Sequence, residues 1–184
     1  MVTAITADIQ ARMTSSWRED CPAGLDRLTY IELTHWNYEG EAVTGELIVA
    51  ADHATDIVSV FSRLFDDGYQ IQRMELVDAF DSDDNLSMAA NNTSAFNCRE
   101  VAWSPGVWSR HAFGLAIDIN PLVNPYVSAT RLLPPEGAEY LDRTIDAPGL
   151  IGPNDVIVQA FADIGWRWGG FWNSAKDYQH FDCC

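Results

Sequence analysis

Two short stretches that lie far apart in the chain, residues 109–118 and 177–180, constrain this sequence more than any other feature. The first contains His111 and Asp118, and the second contains Asp177 and His180. Two imidazoles and one carboxylate form the ligand set of a catalytic zinc site that leaves its fourth position open for water. A further carboxylate close by can take the proton of that water. A fold that uses these residues together must bring the two stretches into contact.

The spacing of apolar residues predicts where these stretches lie in the fold. Alternating β-branched and aromatic residues predict strands at 28–36 and 42–50, and an apolar stripe at helical spacing predicts a helix at 52–67 that stops at Gly68. The remaining predictions are a short helical arm over residues 1–16, a strand at 71–77, a polar loop at 81–93, a strand at 115–119, irregular structure at 121–153, a helix at 155–164, and a strand, Gly-Gly turn and strand at 166–181. Because strands and helices are segregated along the chain, the predicted fold class is α+β, with a mainly antiparallel sheet flanked by helices.

In this layout the candidate metal ligands fall on or beside two strands. His111 comes just before the strand at 115–119, Asp118 lies on that strand, and His180 lies on or beside the last strand. Adjacent antiparallel strands would bring the three side chains within the roughly 2.0–2.2 Å ligand shell of one ion. Asp177, three residues before His180, then has the reach to act as a general base.

The pattern Ser-x-His-x-x-Gly-x-Ala-x-Asp at 109–118, followed by Asp-x-x-His-Phe at 177–181, resembles the family of VanY-type D-alanyl-D-alanine carboxypeptidases and L-alanyl-D-glutamate endopeptidases. Three further strings look like one branch of that family: Ile-Asn-Pro at 119–121, Asn-Thr-Ser-Ala-Phe-Asn-Cys-Arg at 92–99 and Trp-Gly-Gly at 168–170. The resemblance covers residues 28–182 and implies the hedgehog/DD-peptidase fold. We therefore expect an N-terminal arm at 1–27 and a zinc DD-peptidase-like catalytic domain at 28–184.

The resemblance also implies a role for each site residue. His111, Asp118 and His180 match the Zn²⁺ ligands of a metallopeptidase, and Asp177 matches its general base. Arg99 matches a family arginine that contacts the substrate carboxyl group or the developing oxyanion, although its usual Ser-Gly-Tyr-Arg-like string is replaced in this chain. The candidate substrate-binding residues are Ser94, Asn97, Ser109 and Trp172. For two of these a structural role stays open, because Ser109 can fix its loop and Trp172 belongs to an aromatic cluster that can form core.

The substrate that the resemblance implies is the stem peptide of peptidoglycan, which contains D-amino acids. The sequence leaves open whether the enzyme is a D-Ala-D-Ala carboxypeptidase, an L-Ala-D-Glu endopeptidase or a cross-link endopeptidase. Two alternatives also stay open: a non-catalytic zinc-containing module that binds wall peptides or a protein, and hydrolysis of a non-wall amide by the same zinc chemistry. The presence of Asp177 favours catalysis over the binding module.

Charge and hydropathy narrow the possible partners and location. The net charge is −16, with eleven scattered basic residues, so we expect no nucleic-acid partner. No apolar run approaches the ~20 residues that a membrane span needs. Residues 1–20 carry Asp8, Arg12, Arg18, Glu19 and Asp20 and contain no apolar signal region. We expect a monomer that is secreted or associated with the cell wall, exported by a signal that this chain does not contain or by another route.

The cysteines Cys21, Cys98, Cys183 and Cys184 include no CxxC pair, so we do not expect a thiolate zinc site. Four cysteines permit three pairings, and the sequence alone leaves the choice open. We hypothesise a Cys21–Cys98 disulfide that ties the N-terminal arm to the active-site loop, in an oxidising compartment. Cys183 and Cys184 then form an unpaired tail or pair with this set.

Two other features are interpreted as structural. His35 and His53 fall on a strand and near a helix start, with no partnering motif. The run at 81–85 spaces oxygen atoms like the start of a calcium loop, but Leu86 stands where glycine is needed and Asn92 where a bidentate glutamate is needed. We therefore predict a solvated loop there.

Overall fold

A computed structural model describes residues 1–184, with an antiparallel hairpin as its longest strand pair. The strands are β1 (Val2–Ala4), β2 (Leu28–Trp36), β3 (Ala42–Ala50), β4 (Arg73–Met74), β5 (Asn92–Thr93), β6 (Ala116–Asp118), β7 (Tyr126–Val127), β8 (Leu132–Leu133), β9 (Arg167–Trp168), β10 (Lys176–Asp177) and β11 (His180–Asp182). The α-helices are α1 (Ala7–Arg12), α2 (Ala54–Asp66), α3 (Asp84–Ala89) and α4 (Val156–Asp163). None of these helices has the length and apolar character that crossing a membrane requires.

The hairpin of β2 and β3 confirms the two strands predicted at 28–36 and 42–50. The strands pair along their whole length, from Leu28 opposite Ala50 to Trp36 opposite Ala42. Strand β1 adds to the free edge of β2, with Val2 opposite Ile31. Alternate residues of β2 enter different cores, with Ile31 and Leu33 in the main core and Leu28 and Tyr30 in a smaller one.

Helix α2 packs against the hairpin and against α4, and these elements form the main core. Ile57, Phe61 and Leu64 on α2 are buried, as their helical spacing predicts. Phe161 of α4 stacks on Phe181 of β11, with ring centroids 4.2 Å apart. Burying a side chain of this size contributes about 1.5–3 kcal/mol. The core therefore holds β11, which carries one of the candidate metal ligands, in a fixed position.

Strands β6, β11 and β9 form a second antiparallel sheet with β11 in the middle. The pairing of β6 with β11 places His180 opposite Asp118 and Asp182 opposite Ala116. On the other side, Phe181 of β11 lies opposite Trp168 of β9. The two stretches that contain the candidate ligands thus meet in adjacent antiparallel strands, as the sequence predicted.

The N-terminal arm packs onto the hairpin through a second, smaller core. Its buried residues include Met13, Leu28, Phe96 and Cys98, with α1 packed alongside. Cys21 and Cys98 form a disulfide, which confirms the hypothesised pairing. The arm is therefore fixed covalently to the segment that leads into the active-site loop. The division into an arm and a catalytic domain stays a prediction.

The structure corrects several details of the predicted layout. The strand expected at 71–77 is reduced to β4, which pairs in parallel with β5. The polar loop expected at 81–93 contains α3, because the Asp83 side chain caps it by accepting hydrogen bonds from the backbone amides of Asn85 and Leu86. The expected sheet is divided into four small ones, three antiparallel and one a parallel pair. Gly169 and Gly170 lie in a 3-10 turn, and not in a simple hairpin turn between two strands.

Candidate active site

Hydrogen bonds to the backbone amide and to the ring of His111 fix the position of this residue. Ser109 Oγ accepts a hydrogen bond from the His111 backbone amide at 3.3 Å and begins a 3-10 turn over Arg110–Phe113. The ring atom Nδ1 of His111 lies 2.6 Å from the carbonyl oxygen of Ala95. Because a carbonyl oxygen only accepts, Nδ1 donates to it, which leaves Nε2 as the ring atom that faces Asp118. A backbone partner on the other ring nitrogen is how metal-ligating histidines are usually oriented.

Gly114 explains why the motif needs glycine three residues after the histidine. Its φ is +69°, in the left-handed region. A Cβ at this position would lie 2.5 Å from the backbone nitrogen of Ala50 and 2.8 Å from the carbonyl carbon of Val49. Only glycine allows the loop to approach the end of β3 this closely.

Asp118 contacts both histidines with its two carboxylate oxygens. Oδ2 lies 3.1 Å from Nε2 of His111, and Oδ1 lies 2.8 Å from Nδ1 of His180. The three side chains are 4–13% exposed, and their ligand atoms all lie within 4.8 Å of one another. The structure therefore brings together the three residues that the sequence singled out as metal ligands.

Asp177 provides a second carboxylate beside this cluster. Its Oδ1 is closed off from solvent and has no hydrogen-bond partner. Burial raises the pKa of Asp177 to about 7, and the charge of Asp118 adds to this, while His180 opposes it. Gly169 permits the approach of this strand, because a Cβ there would lie 2.6 Å from the carbonyl oxygen of Asp177. An unpartnered carboxylate with a raised pKa is typical of a functional site.

The electrostatics of the cluster favour a bound cation. Burial alone would raise the pKa of Asp118, but the charges and hydrogen bonds of His111 and His180 lower it well below its usual range. Burial alone would lower the pKa of His180, but its hydrogen bond to Asp118 and the neighbouring carboxylates raise it to about 9. Two imidazoles around a buried carboxylate, with a second carboxylate adjacent, fit a divalent metal ion that takes nitrogen and oxygen ligands.

These residues lie at one side of a cleft of about 360 Å³. The cleft is also lined by Met88, Arg99, Trp103, Tyr126, Leu133 and Trp172. The ring of Trp172 stands edge-on to that of His180, with centroids 5.5 Å apart, and this side chain is 38% exposed. Trp172 therefore belongs to the cleft wall and not to the buried core.

Arg99 reaches the same cleft, where its guanidinium forms an ion pair with Asp84 of α3. Its Nε is buried and has no hydrogen-bond partner. The Asp84 carboxylate also accepts a hydrogen bond from the Asn97 side-chain amide at 3.2 Å. Asp84 was not among the residues predicted from the sequence, because it lies in a polar run without periodicity, and only the capping position of Asp83 marks a helix there.

Ser109 lines the cleft, whereas Ser94 and Asn97, the other two predicted substrate-binding residues, are not among its lining residues. Ser94 pairs with Asp118 through both backbone hydrogen bonds, at 3.0 and 2.9 Å. Asn97 bonds through its side chain to the carbonyl oxygen of Ser82 and to Asp84. The contacts of both residues support the strand that carries Asp118 and the partner of Arg99.

Comparison with known proteins identifies one family. Residues 102–183 match the model of a family described as D-alanyl-D-alanine carboxypeptidase. The matched stretch contains His111, Asp118, Asp177 and His180, while Arg99 lies just before it. The comparisons with curated proteins and with solved structures gave no significant match. Residues 102–183, the part of the chain that carries the site, are thus similar to the D-alanyl-D-alanine carboxypeptidase family that the motifs resemble.

Proposed function

We propose that this protein is a zinc-dependent metallopeptidase that hydrolyses peptide bonds in the stem peptides of peptidoglycan. The observation that carries the proposal is the buried cluster of His111, Asp118 and His180 with the unpartnered carboxylate of Asp177 beside it. A member of the D-alanyl-D-alanine carboxypeptidase family is expected to act on such a peptide. Removal of the terminal D-alanine is therefore the first candidate reaction, and L-Ala-D-Glu cleavage is the second.

The chain's own residues supply a complete ligand set. His111 would bind the ion through Nε2, because its Nδ1 is occupied by the carbonyl of Ala95. Asp118 and His180 would bind through the atoms that now face each other, Oδ1 and Nδ1. When bound, zinc lowers the pKa of a coordinated water to about 7 and polarises the scissile carbonyl group.

Asp177 would act as the general base and then as the general acid. Its raised pKa, about 7, is close to the pH at which a carboxylate both accepts and returns a proton with ease. The carboxylate takes a proton from the attacking water and passes it to the amine that leaves. The lack of any protein partner for Oδ1 leaves this oxygen available for the task.

Arg99 would stabilise negative charge on the substrate. In a carboxypeptidase the guanidinium binds the free terminal carboxylate, and in an endopeptidase it faces the developing oxyanion. The pairing with Asp84 orients the side chain, which lines the cleft. Ser109 and Trp172 on the cleft wall would contact the peptide.

The remaining parts of the proposal concern fold type, location and assembly. The antiparallel strands β6 and β11, which present the ligands, support the hedgehog/DD-peptidase fold. The Cys21–Cys98 disulfide supports a secreted or wall-associated location, because such bonds persist in oxidising compartments. We propose that the enzyme acts as a monomer, since all of the site residues come from one chain.

Zinc content and bond cleavage test the proposal together. Zinc is measured by elemental analysis in wild type and in His180→Ala, and the released amines are identified by mass spectrometry after incubation with defined stem peptides and with unrelated dipeptides. We expect one zinc per chain at this site, lost in the variant together with activity, and release of D-alanine from a peptide that ends in D-Ala-D-Ala. Zinc binding without cleavage of any wall peptide would favour the binding module. Absence of zinc would overturn the proposal.

A further inference from the structure

A second cluster of metal-binding side chains lies outside the cleft. His53, Cys183 and Cys184 each offer one ligand atom, and these atoms lie within 4.8 Å of one another. His53 stands between the end of β3 and the start of α2, and the two cysteines directly follow β11. Residues far apart in sequence therefore converge here. The sequence did not predict this cluster, because it contains no CxxC pair and His53 was interpreted as structural.

The distance between His53 and Cys183 suits two ligands that share one ion. Nε2 of His53 lies 3.7 Å from Sγ of Cys183. Ligand bonds of 2.3 Å to sulfur and 2.0–2.1 Å to nitrogen at a tetrahedral angle separate the two atoms by about 3.5 Å. The ring of His53 is held edge-on against Trp166, with centroids 5.9 Å apart, and Cys183 is the one hydrogen-bond partner of its nitrogens. Neither the nitrogens of His53 nor the thiol of Cys183 has a hydrogen-bond partner outside the cluster.

The two cysteine sulfurs lie 2.6 Å apart. This separation exceeds the 2.03–2.05 Å of a disulfide bond. Two sulfurs at about 2.3 Å from one tetrahedral ion lie about 3.8 Å apart, so the exposed side chain of Cys184 would turn outward when an ion binds.

The surroundings leave room for an ion to enter and hold the segment in place. A cavity of about 370 Å³ adjoins the cluster, lined by Arg27, Asp52, His53, Phe113 and Cys184. Cys183 is buried and Cys184 is exposed, so the cluster spans from the core to the solvent. The Cys183 backbone amide donates to the carbonyl oxygen of Leu115 at 3.2 Å, and Arg110 donates to the carbonyl oxygen of Cys184.

We propose that His53, Cys183 and Cys184 form a second metal site that binds a thiophilic ion of the Zn²⁺ type. Binding releases the two thiol protons to solvent, and the ion takes two thiolates and one imidazole, with a fourth position open to the cavity. Such a ligand set suits zinc in a tetrahedral site. The ion would tie the chain after β11 to the junction of β3 and α2, at the end of the strand opposite His180.

Cobalt binding distinguishes this site from the one in the cleft, because only cysteine ligands give a sulfur-to-cobalt charge-transfer band in the near ultraviolet. The protein is purified without oxidant or chelator, dialysed against Co²⁺ and then against Zn²⁺, and compared with Cys184→Ser, His53→Ala and His180→Ala. Asp56→Ala, an exposed change three residues after His53, serves as the control. We expect two equivalents of metal in wild type and in the control, with the band present.

Each variant has a distinct expected result. Cys184→Ser and His53→Ala should lose the band, bind one equivalent and weaken the second site by more than about 10-fold, because loss of a ligand costs at least as much as loss of an outer-shell partner. His180→Ala should keep the band and lose the metal equivalent bound in the cleft. Failure of the proposed catalytic site can therefore be distinguished from failure of the cysteine site. A single equivalent without the band in wild type, or an intact mass that shows a Cys183–Cys184 disulfide in the protein as purified, would overturn the proposal.

Discussion

Asp177 is the residue on which the proposed chemistry depends most. It lies beside the cluster of His111, Asp118 and His180 with one carboxylate oxygen buried and unpartnered, an arrangement that costs stability and is typical of a functional site. We predict that Asp177→Asn lowers kcat by at least about 100-fold, because proton transfer by a positioned side chain contributes roughly 10²–10⁴-fold. The amide has the same shape and does not remove a ligand, so zinc content measured by elemental analysis should equal that of wild type. Unchanged turnover would show that another group is the base.

Asp84 is a positioning residue for Arg99, and its role is visible only in the structure. It pairs with the Arg99 guanidinium and is itself held by the Asn97 amide. We predict that Asp84→Asn lowers kcat/KM on a stem peptide by about 10-fold, corresponding to about 1.4 kcal/mol, because Arg99 loses its fixed orientation. Elemental analysis should show an unchanged zinc content. Steady-state kinetics should show the loss mainly in KM if Arg99 binds the terminal carboxylate, or mainly in kcat if Arg99 faces the oxyanion.

The neighbouring carboxylate Asp81 gives a matched control for this prediction. It is exposed and has a left-handed backbone conformation that asparagine also adopts readily. Asp81→Asn should therefore leave both kinetic constants unchanged. An equal loss of kcat/KM in the two variants would point to a general effect of charge and not to the positioning of Arg99.

At the scale of elements, the spacing of apolar residues predicted the longest strands and the longest helix but not the short elements. The β2–β3 hairpin follows directly from its β-branched and aromatic residues, and α2 follows from its helical apolar stripe. Helix α3 was missed because a single capping side chain, Asp83, begins it within a polar run. Strand β4 is short because its pairing with β5 depends on a contact across the chain that no local pattern reveals.

In the candidate site, too, some residues could be found from sequence motifs and others only from contacts in the structure. His111, Asp118, Asp177 and His180 could be found from spacing, because each stands in a short string with a recognisable order. Asp84 and the second cluster around His53 could not, because their partners are distant in sequence and have no motif. The orientation of the His111 ring likewise depends on the Ala95 carbonyl, which the sequence does not identify.

The 3-10 turn that carries His111 depends on Gly114. We predict that Gly114→Ala lowers the free energy of unfolding by roughly 2–4 kcal/mol, since a left-handed conformation costs about 1–3 kcal/mol and the new Cβ would also meet the backbone of β3. Denaturant unfolding measures this loss, and zinc affinity should fall with it because His111 moves. Gly165→Ala is the control: its φ is +81°, but a Cβ there meets nothing within 4 Å. Gly165→Ala should lose only the free energy that the left-handed conformation costs. Equal losses in the two variants would show that contact of the new Cβ with β3 does not matter.

At the scale of the whole molecule, a net charge of −16 makes the two buried carboxylates beside the histidines costly. The main core and the disulfide-linked arm hold the site together against this repulsion. A bound cation would relieve it, so the stability of the protein is coupled to the metal. Without metal, the free energy of unfolding should therefore depend on pH through the titration of these buried groups.

The direction of that dependence follows from the folded-state pKa values. Asp177 changes from 3.8 to about 7 on folding, so the folded state binds more protons between these values, and stability falls as pH rises through this window. His180 changes from 6.5 to about 9, and its contribution, fully present below 6.5, is lost as pH rises to about 9. The lowered pKa of Asp118 acts in the acid range, where stability is lost as pH falls below 3.8. We predict that the metal-free protein becomes steadily less stable from about pH 4 to about pH 9.

Denaturant unfolding of the metal-free protein across this range tests the prediction, with Asp177→Asn as the matched variant. The variant should lose the decline between 3.8 and about 7 and keep the one between 6.5 and about 9, because asparagine does not titrate and His180 still does. Saturating zinc should reverse the slope, since metal binding displaces protons and strengthens as pH rises. Stability of the metal-free protein that rises from pH 5 to 8 would contradict the assignment of the buried carboxylate. An identical profile in Asp177→Asn would show that the decline arises from other groups.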